Sequence, residues 1–255
     1  MKFAAPALTA ALLLTACADN STSTGSASTT TPITTTGATS DADVTRHTFV
    51  TANGTSIDYV LLVLPGRSVG APGKVIFAFP PGGQDIDLTQ QIVEEKYRTE
   101  ALARDYVVVS PAAPSTGLFF SDASAALVPE LLDMTATLYP PEGGKFDLIG
   151  VSNGGLSAFR AALEQPDRFG SLVVYPGYSP DGADDPNLKM LKGIGVAMFV
   201  GSNDDGWKEP SQQTKEILSR QGGKVELHVV AGEGHILGDA LPGRALFDAL
   251  ERVRH

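Results

Sequence analysis

Cysteine, histidine and basic residues are all scarce in this chain, and each shortage removes a class of explanation. A single cysteine among 255 residues allows no internal disulfide. Four scattered histidines form no metal-ligand cluster, so no metal and no cofactor is expected. Only 19 Lys and Arg stand against 29 Asp and Glu, a formal net charge of −10, and nucleic acid is not an expected partner. No internal repeat is evident. What is plentiful is apolar residues, 42% of the total, enough for the core of one domain of ordinary to large size.

The lone cysteine, Cys17, sits where a processing signal would place it. Met1-Lys2-Phe3 is a short basic start, and Ala4 to Leu14 is an apolar run of about a dozen residues, too short to span a bilayer. Leu14-Thr15-Ala16-Cys17 then resembles a bacterial lipobox, in which the cysteine is lipidated and becomes the mature N-terminus. The alternative is plain secretion, with cleavage after Ala16 or Ala18. Residues 1–16 are therefore expected to be a lipoprotein signal peptide. Residues 17–44, rich in Ser, Thr, Gly and Ala, cannot bury a core and read as a flexible linker. Export and a lipid anchor to the bacterial cell envelope follow as expectations, and that anchor is the only membrane contact foreseen.

Residues 45–255 alternate between strand-like and helix-like segments. A hairpin with an Asn53-Gly54 turn joins Thr48–Val50 to Ile57–Leu64. Further strands are expected over 74–79, 106–110, 146–149, 171–175, 196–200 and 225–230. Helices are expected over 89–104, from a cap at Asp122 to 138, over 155–164, 211–220 and 245–253. Continuous apolar strands alternating with helices predict an α/β fold, a mostly parallel sheet covered on both faces. The stretch 176–190 is too short for a lid domain.

Gly150-Val151-Ser152-Asn153-Gly154 falls between the strand after residue 145 and the helix that follows it. G-x-S-x-G at a strand–turn–helix junction is the nucleophile elbow of the α/β-hydrolase fold. A sharp turn lifts the serine hydroxyl clear of the sheet, and the flanking glycines let strand and helix close up. A serine needs a base, and the base an orienting acid, in the chain order Ser, Asp or Glu, His. His47 precedes the serine, His228 shares the polar face of a strand with Glu226, and His255 ends the chain. His235, in the glycine-rich loop 231–236 past the last strand, is the candidate base. Asp204 or Asp205, in the loop after the 196–200 strand, is the candidate acid, and Gly-x-x-Asp spacing favours Asp204. Asp181, Asp184 and Asp185 are less suited. The oxyanion hole needs two N–H donors. Asn153 is one, and the other is Gly82, Gly83 or Gln84, since Pro80 and Pro81 have none.

These motifs resemble the single-domain esterases of the α/β-hydrolase superfamily, and most of all the secreted polyhydroxybutyrate-depolymerase and feruloyl-esterase-like group. The elbow 150–155, the helix exit Glu164-Gln165-Pro166-Asp167-Arg168-Phe169, and the loops 201–204 and 232–235 carry the likeness. One departure stands out: Pro80-Pro81 occupies the place where that group usually has His-Gly. The resemblance implies a serine hydrolase that cleaves a small-molecule or polymeric carboxylic ester through an acyl-enzyme, with no cofactor. Phe119, Phe120, Trp207 and Tyr178, near the carboxyl edge, are candidates for an apolar substrate wall. With no lid domain, short soluble esters are expected. Competing readings are an acyltransferase on the same scaffold, a peptidase, and a non-catalytic surface binding lipoprotein.

Overall fold

A computed structural model describes residues 43–254. The signal peptide, Cys17 and nearly all of the linker lie outside them, as does His255. Eight strands form one sheet: β1 (Val44–Val50), β2 (Ser56–Leu62), β3 (Lys74–Phe79), β4 (Tyr106–Pro111), β5 (Phe146–Gly150), β6 (Phe169–Val174), β7 (Gly195–Gly201) and β8 (Val225–Val230). Their order is β1-β2-β4-β3-β5-β6-β7-β8, and the pairings are parallel from β4 through β8. β1 and β2 add an antiparallel edge, joined through Asn53-Gly54 with Gly54 at φ +86°. The expected α/β architecture, with its hairpin edge and parallel body, is present.

Side-chain alternation along the strands builds two cores. Val75, Phe77 and Phe79 of β3, with Leu148 of β5, face one side and meet helices α4 (Val128–Leu138), α5 (Asn153–Glu164) and α6 (Asp205–Arg220). Ile76, Ala78 and Ile149 face the other, against α1 (Ile86–Ile92), α2 (Arg98–Ala103) and α7 (Gly243–Val253). Arg104, just past α2, joins that helix to α7 through Asp248 and Glu251, at 2.6 and 2.8 Å.

The helix expected over 89–104 is three segments, because a π-turn, Val93–Tyr97, lies between α1 and α2. Its buried residues are Thr89, Val93, Tyr97 and Ala101, spaced every four. At 3.6 residues per turn a four-residue spacing drifts steadily around a helix. The wider π-turn takes up that drift and keeps all four against the sheet.

Three local expectations need correction. Asp122 is not a side-chain cap of one long helix; it pairs with Arg160 at 2.8 Å and opens the short α3 (Asp122–Ala125). Pro129 cannot donate to the carbonyl of Ala125, so the chain starts afresh at α4. α6 begins at Asp205, six residues early, and carries Pro210 inside it at the loss of one backbone bond. His47 lies within β1 rather than before it, stacked on Tyr59 at 5.3 Å.

Candidate active site

The loop after β3 leads to α1 on one face of the sheet, and the loop after β5 leads to α5 on the other. β3 and β5 are neighbours, so their exits diverge and leave a crevice at their carboxyl ends. Ser152 stands there, between β5 and α5. Its backbone sits at φ +54°, a region that costs a non-glycine residue energy. The surroundings hold it: its N–H donates to the carbonyl of Pro176 at 3.0 Å. A Cβ on Gly150 would strike the carbonyl of Gly154, and one on Gly154 would strike the carbonyl of Phe79. Only glycine at both places lets α5 start against the sheet, and α5 starts at Asn153, two residues earlier than the sequence pattern indicated.

The structure brings Ser152, His235 and Asp204 together. Ser152 Oγ lies 2.7 Å from His235 Nε2, and His235 Nδ1 lies 2.8 Å from Asp204 Oδ2. A carboxylate only accepts hydrogen bonds, so the Nδ1–H donates to Asp204 and Nε2 is left to accept from the Ser152 hydroxyl. The Asp204 side chain is 11% exposed, whereas that of Asp205 is 78% exposed and pairs with Lys208. The acid and base loops are bound to each other. Asn203 donates from its backbone to Glu233 at 2.8 Å and from its side chain to the carbonyl of Gly232 at 3.0 Å, while Gly232 donates to Ser202 Oγ at 2.9 Å. His228 is elsewhere, exposed on the edge strand β8 against Phe199. Asp185 accepts from Ser179 and Asn187 and has no part in the cluster.

At the oxyanion side, Asn153 is the first residue of α5, where the backbone N–H has no helical partner. Asn153 Nδ2 donates to the carbonyl of Gly82 at 2.9 Å, tying the elbow to the loop after β3. Among the three loop candidates, the Gln84 N–H is taken by the carbonyl of Pro81 at 3.0 Å, which leaves Gly82 and Gly83. Gln84 has a different part, which sequence reasoning missed. Fully buried, it donates from Nε2 to Ser157 Oγ and accepts from the Phe119 N–H through Oε1, both at 3.0 Å. It thereby braces the loop against α5 and against the segment after β4.

A cavity of about 530 Å³ opens beside Ser152 and His235. Leu88, Ile92, Val151, Tyr175 and Leu237 give it largely apolar walls, and Glu95, Lys96 and Asp239 are the charged residues that line it along with His235. The four aromatic residues expected to form the wall do not line it. Phe119 is fully buried against Phe79 at 5.2 Å, and Phe120 is half-buried outside the cavity. Trp207 packs against the His235 ring at 5.0 Å and Tyr178 against Trp207 at 5.2 Å, so the pair backs the imidazole instead. Beneath the cavity, Tyr175 shares a buried hydroxyl contact of 2.7 Å with Tyr97. Burial raises both phenols well above the usual tyrosine range.

The Esterase family, described as "Putative esterase", matches residues 72–252, and the chain belongs to it. No curated protein matches it in sequence. Among solved structures, it is similar to a thermostable esterase, with 19% identity and a TM-score of 0.62. That match covers 83% of this chain but only 62% of the other. An S-formylglutathione hydrolase from Agrobacterium tumefaciens matches with 17% identity and a TM-score of 0.62, over 82% of this chain and 95% of that one. A ferulic acid esterase matches with 15% identity and a TM-score of 0.56, over 83% and 97%. At such identities the likeness is one of fold, and that fold is the α/β-hydrolase fold. With the family, it makes the chain an enzyme of the carboxylic-ester hydrolase class.

Proposed function

We propose that the enzyme cleaves esters through a covalent acyl-enzyme, with Ser152 as nucleophile, His235 as base and Asp204 as the orienting acid. The carrying observation is the unbroken hydrogen-bond chain from Ser152 Oγ through the imidazole to Asp204, at 2.7 and 2.8 Å. His235 takes the hydroxyl proton as Oγ attacks the ester carbonyl, and the carbonyl π pair moves onto oxygen. The N–H groups of Asn153 and of Gly82 or Gly83 receive that oxyanion. His235 then protonates the leaving alcohol as the C–O bond breaks. Water, deprotonated by His235, attacks the acyl-enzyme and frees the acid and Ser152.

Hydrolysis of p-nitrophenyl esters from acetate to laurate, comparing the domain from residue 41 onward with its Ser152→Ala variant, tests the reading. Activity on the shorter esters, lost in the variant together with fluorophosphonate labelling, is the expected result. A folded domain that is active on no ester and takes up no label would overturn it in favour of a binding protein.

The placement of the only cysteine further supports export as a lipoprotein anchored through Cys17. Cells expressing Cys17→Ser are expected to lose incorporation of labelled palmitate into the protein and to release it from the membrane fraction. Retention of label in the variant would exclude the anchor. Among the described residues no helix is long and apolar enough to cross a membrane.

A further inference from the structure

Among the described residues, Lys96 is the only lysine or arginine lining the cavity beside Ser152. It is half-buried, on the π-turn, and its Nζ donates to the carbonyl of Gly238 at 2.7 Å. An ammonium group has three N–H donors, and this contact uses one. Among the described residues Lys96 forms no ion pair; burial pulls its ammonium below the usual lysine range, against Asp239, which lies close enough to favour the charge but is exposed. Glu95 is exposed as well, so solvent screens both carboxylates more than it screens the ammonium. Leu88 lies against Gly82, which Asn153 ties to the elbow, and Ile92 and Lys96 follow at four-residue intervals, so Lys96 stands about 12 Å farther along the helix, with the apolar side chains of Leu88, Ile92, Val151 and Leu237 lining the same cavity.

A cavity with a nucleophile near Leu88, an incompletely used ammonium about two helical turns farther on and hydrocarbon among its walls is complementary to one chemical pattern. We infer that the cavity takes an ester arm with an apolar stem ending in a carboxylate, such as the acyl half of a dicarboxylic acid monoester, and that Lys96 selects it. The inference rests on the serine-hydrolase reading above, because Ser152 sets the position of the carbonyl from which the stem extends.

The test compares two esters that differ only in the terminal group, p-nitrophenyl hexanoate and mono-p-nitrophenyl adipate. A second pair moves the carboxylate to the alcohol arm: hexyl acetate against the acetate ester of ω-hydroxyhexanoic acid. Lys96→Gln keeps a donor for the Gly238 carbonyl and removes the charge, and Lys96→Arg restores the charge. In Lys96→Gln the carboxylate-to-methyl ratio of kcat/KM is expected to fall about tenfold for one of the pairs, the size of a charge-assisted hydrogen bond. It should recover in Lys96→Arg, and in the wild type it should shrink as salt is raised. The pair that responds identifies the arm that enters. A ratio unchanged in Lys96→Gln for both pairs, while hexanoate is turned over and Ser152 takes up fluorophosphonate, overturns the inference alone. No turnover of any of the four esters, with no labelling, removes the serine-hydrolase reading and this inference together.

Discussion

Asn153 Nδ2 and the carbonyl oxygen of Gly82 are 2.9 Å apart, and this hydrogen bond ties together the two loops proposed to supply the oxyanion donors. The N–H groups of Asn153 and of Gly82 or Gly83 are useful only if they are aimed before the charge develops. Asn153→Ala keeps the backbone donor and removes the tie. A fall in kcat of about tenfold with little change in KM is expected, since the contact matters to the transition state more than to binding. A KM effect of the same size with unchanged kcat would assign Asn153 to substrate binding instead.

The two neighbouring carboxylates, Asp204 and Asp205, should separate cleanly in a kinetic assay. Asp204→Asn presents an amide to His235 Nδ1 and upsets the tautomer, with an expected loss in kcat of roughly 10⁴-fold. Asp205→Asn removes an exposed pair with Lys208 and should stay within about twofold of wild type. Equal losses in the two variants would show that the α6 N-terminus, rather than the acid, had been disturbed.

Gln84 is a matter of stability first. Gln84→Ala leaves the buried Phe119 N–H and the Ser157 hydroxyl short of a partner. Unfolding in urea should show a loss of about 1–3 kcal/mol. A variant as stable as wild type would mean that water replaces the amide at both groups.

Asp147, fully buried at the start of β5, titrates unusually high. Burial raises its carboxyl from 3.8 to about 6, against the opposing pull of Arg254 and the Ser171 hydroxyl. Between those two values the native protein holds a proton that the unfolded chain has released, so this group lowers stability as pH rises and stops doing so above about 6. The full span is about 3 kcal/mol. In urea titrations, Asp147→Asn should gain on wild type steadily as pH climbs through this window. A constant difference between the two at every pH would show that Asp147 stays ionised throughout.

The cluster of Ser152, His235 and Asp204 was legible in the sequence because its members are announced by their neighbours. Ser152 lies between glycines whose close approach to Phe79 and to the start of α5 forbids any side chain, and His235 is the histidine of a glycine-rich loop past a strand end. The cavity wall carried no such mark. Leu88, Ile92 and Lys96 recur at ordinary helical spacing and read as any amphipathic surface does. Phe119 shows the converse. Its place near the carboxyl edge pointed to substrate, but the ring turns under to Phe79 and its backbone is held by Gln84, contacts that no local pattern encodes. Pro129 and Pro210 differ for a similar reason. The first stops a helix, whereas the second is carried inside α6, where tertiary packing outweighs one missing bond.

The π-turn at Val93–Tyr97 gives this enzyme a point of leverage measured in single residues. Each residue removed from a helix rotates everything beyond it by about 100°. Here the π-turn compensates: a chain one residue shorter could run as continuous α-helix, and a spacing of four, three and four would still keep Thr89, Val93, Tyr97 and Ala101 on one face. What would change is the turn itself, from which Lys96 reaches the carbonyl of Gly238. The extra residue thus works as a spare link: the hydrophobic interior could close up without it, whereas the wall of the cavity beside Ser152 is built on the turn that carries it.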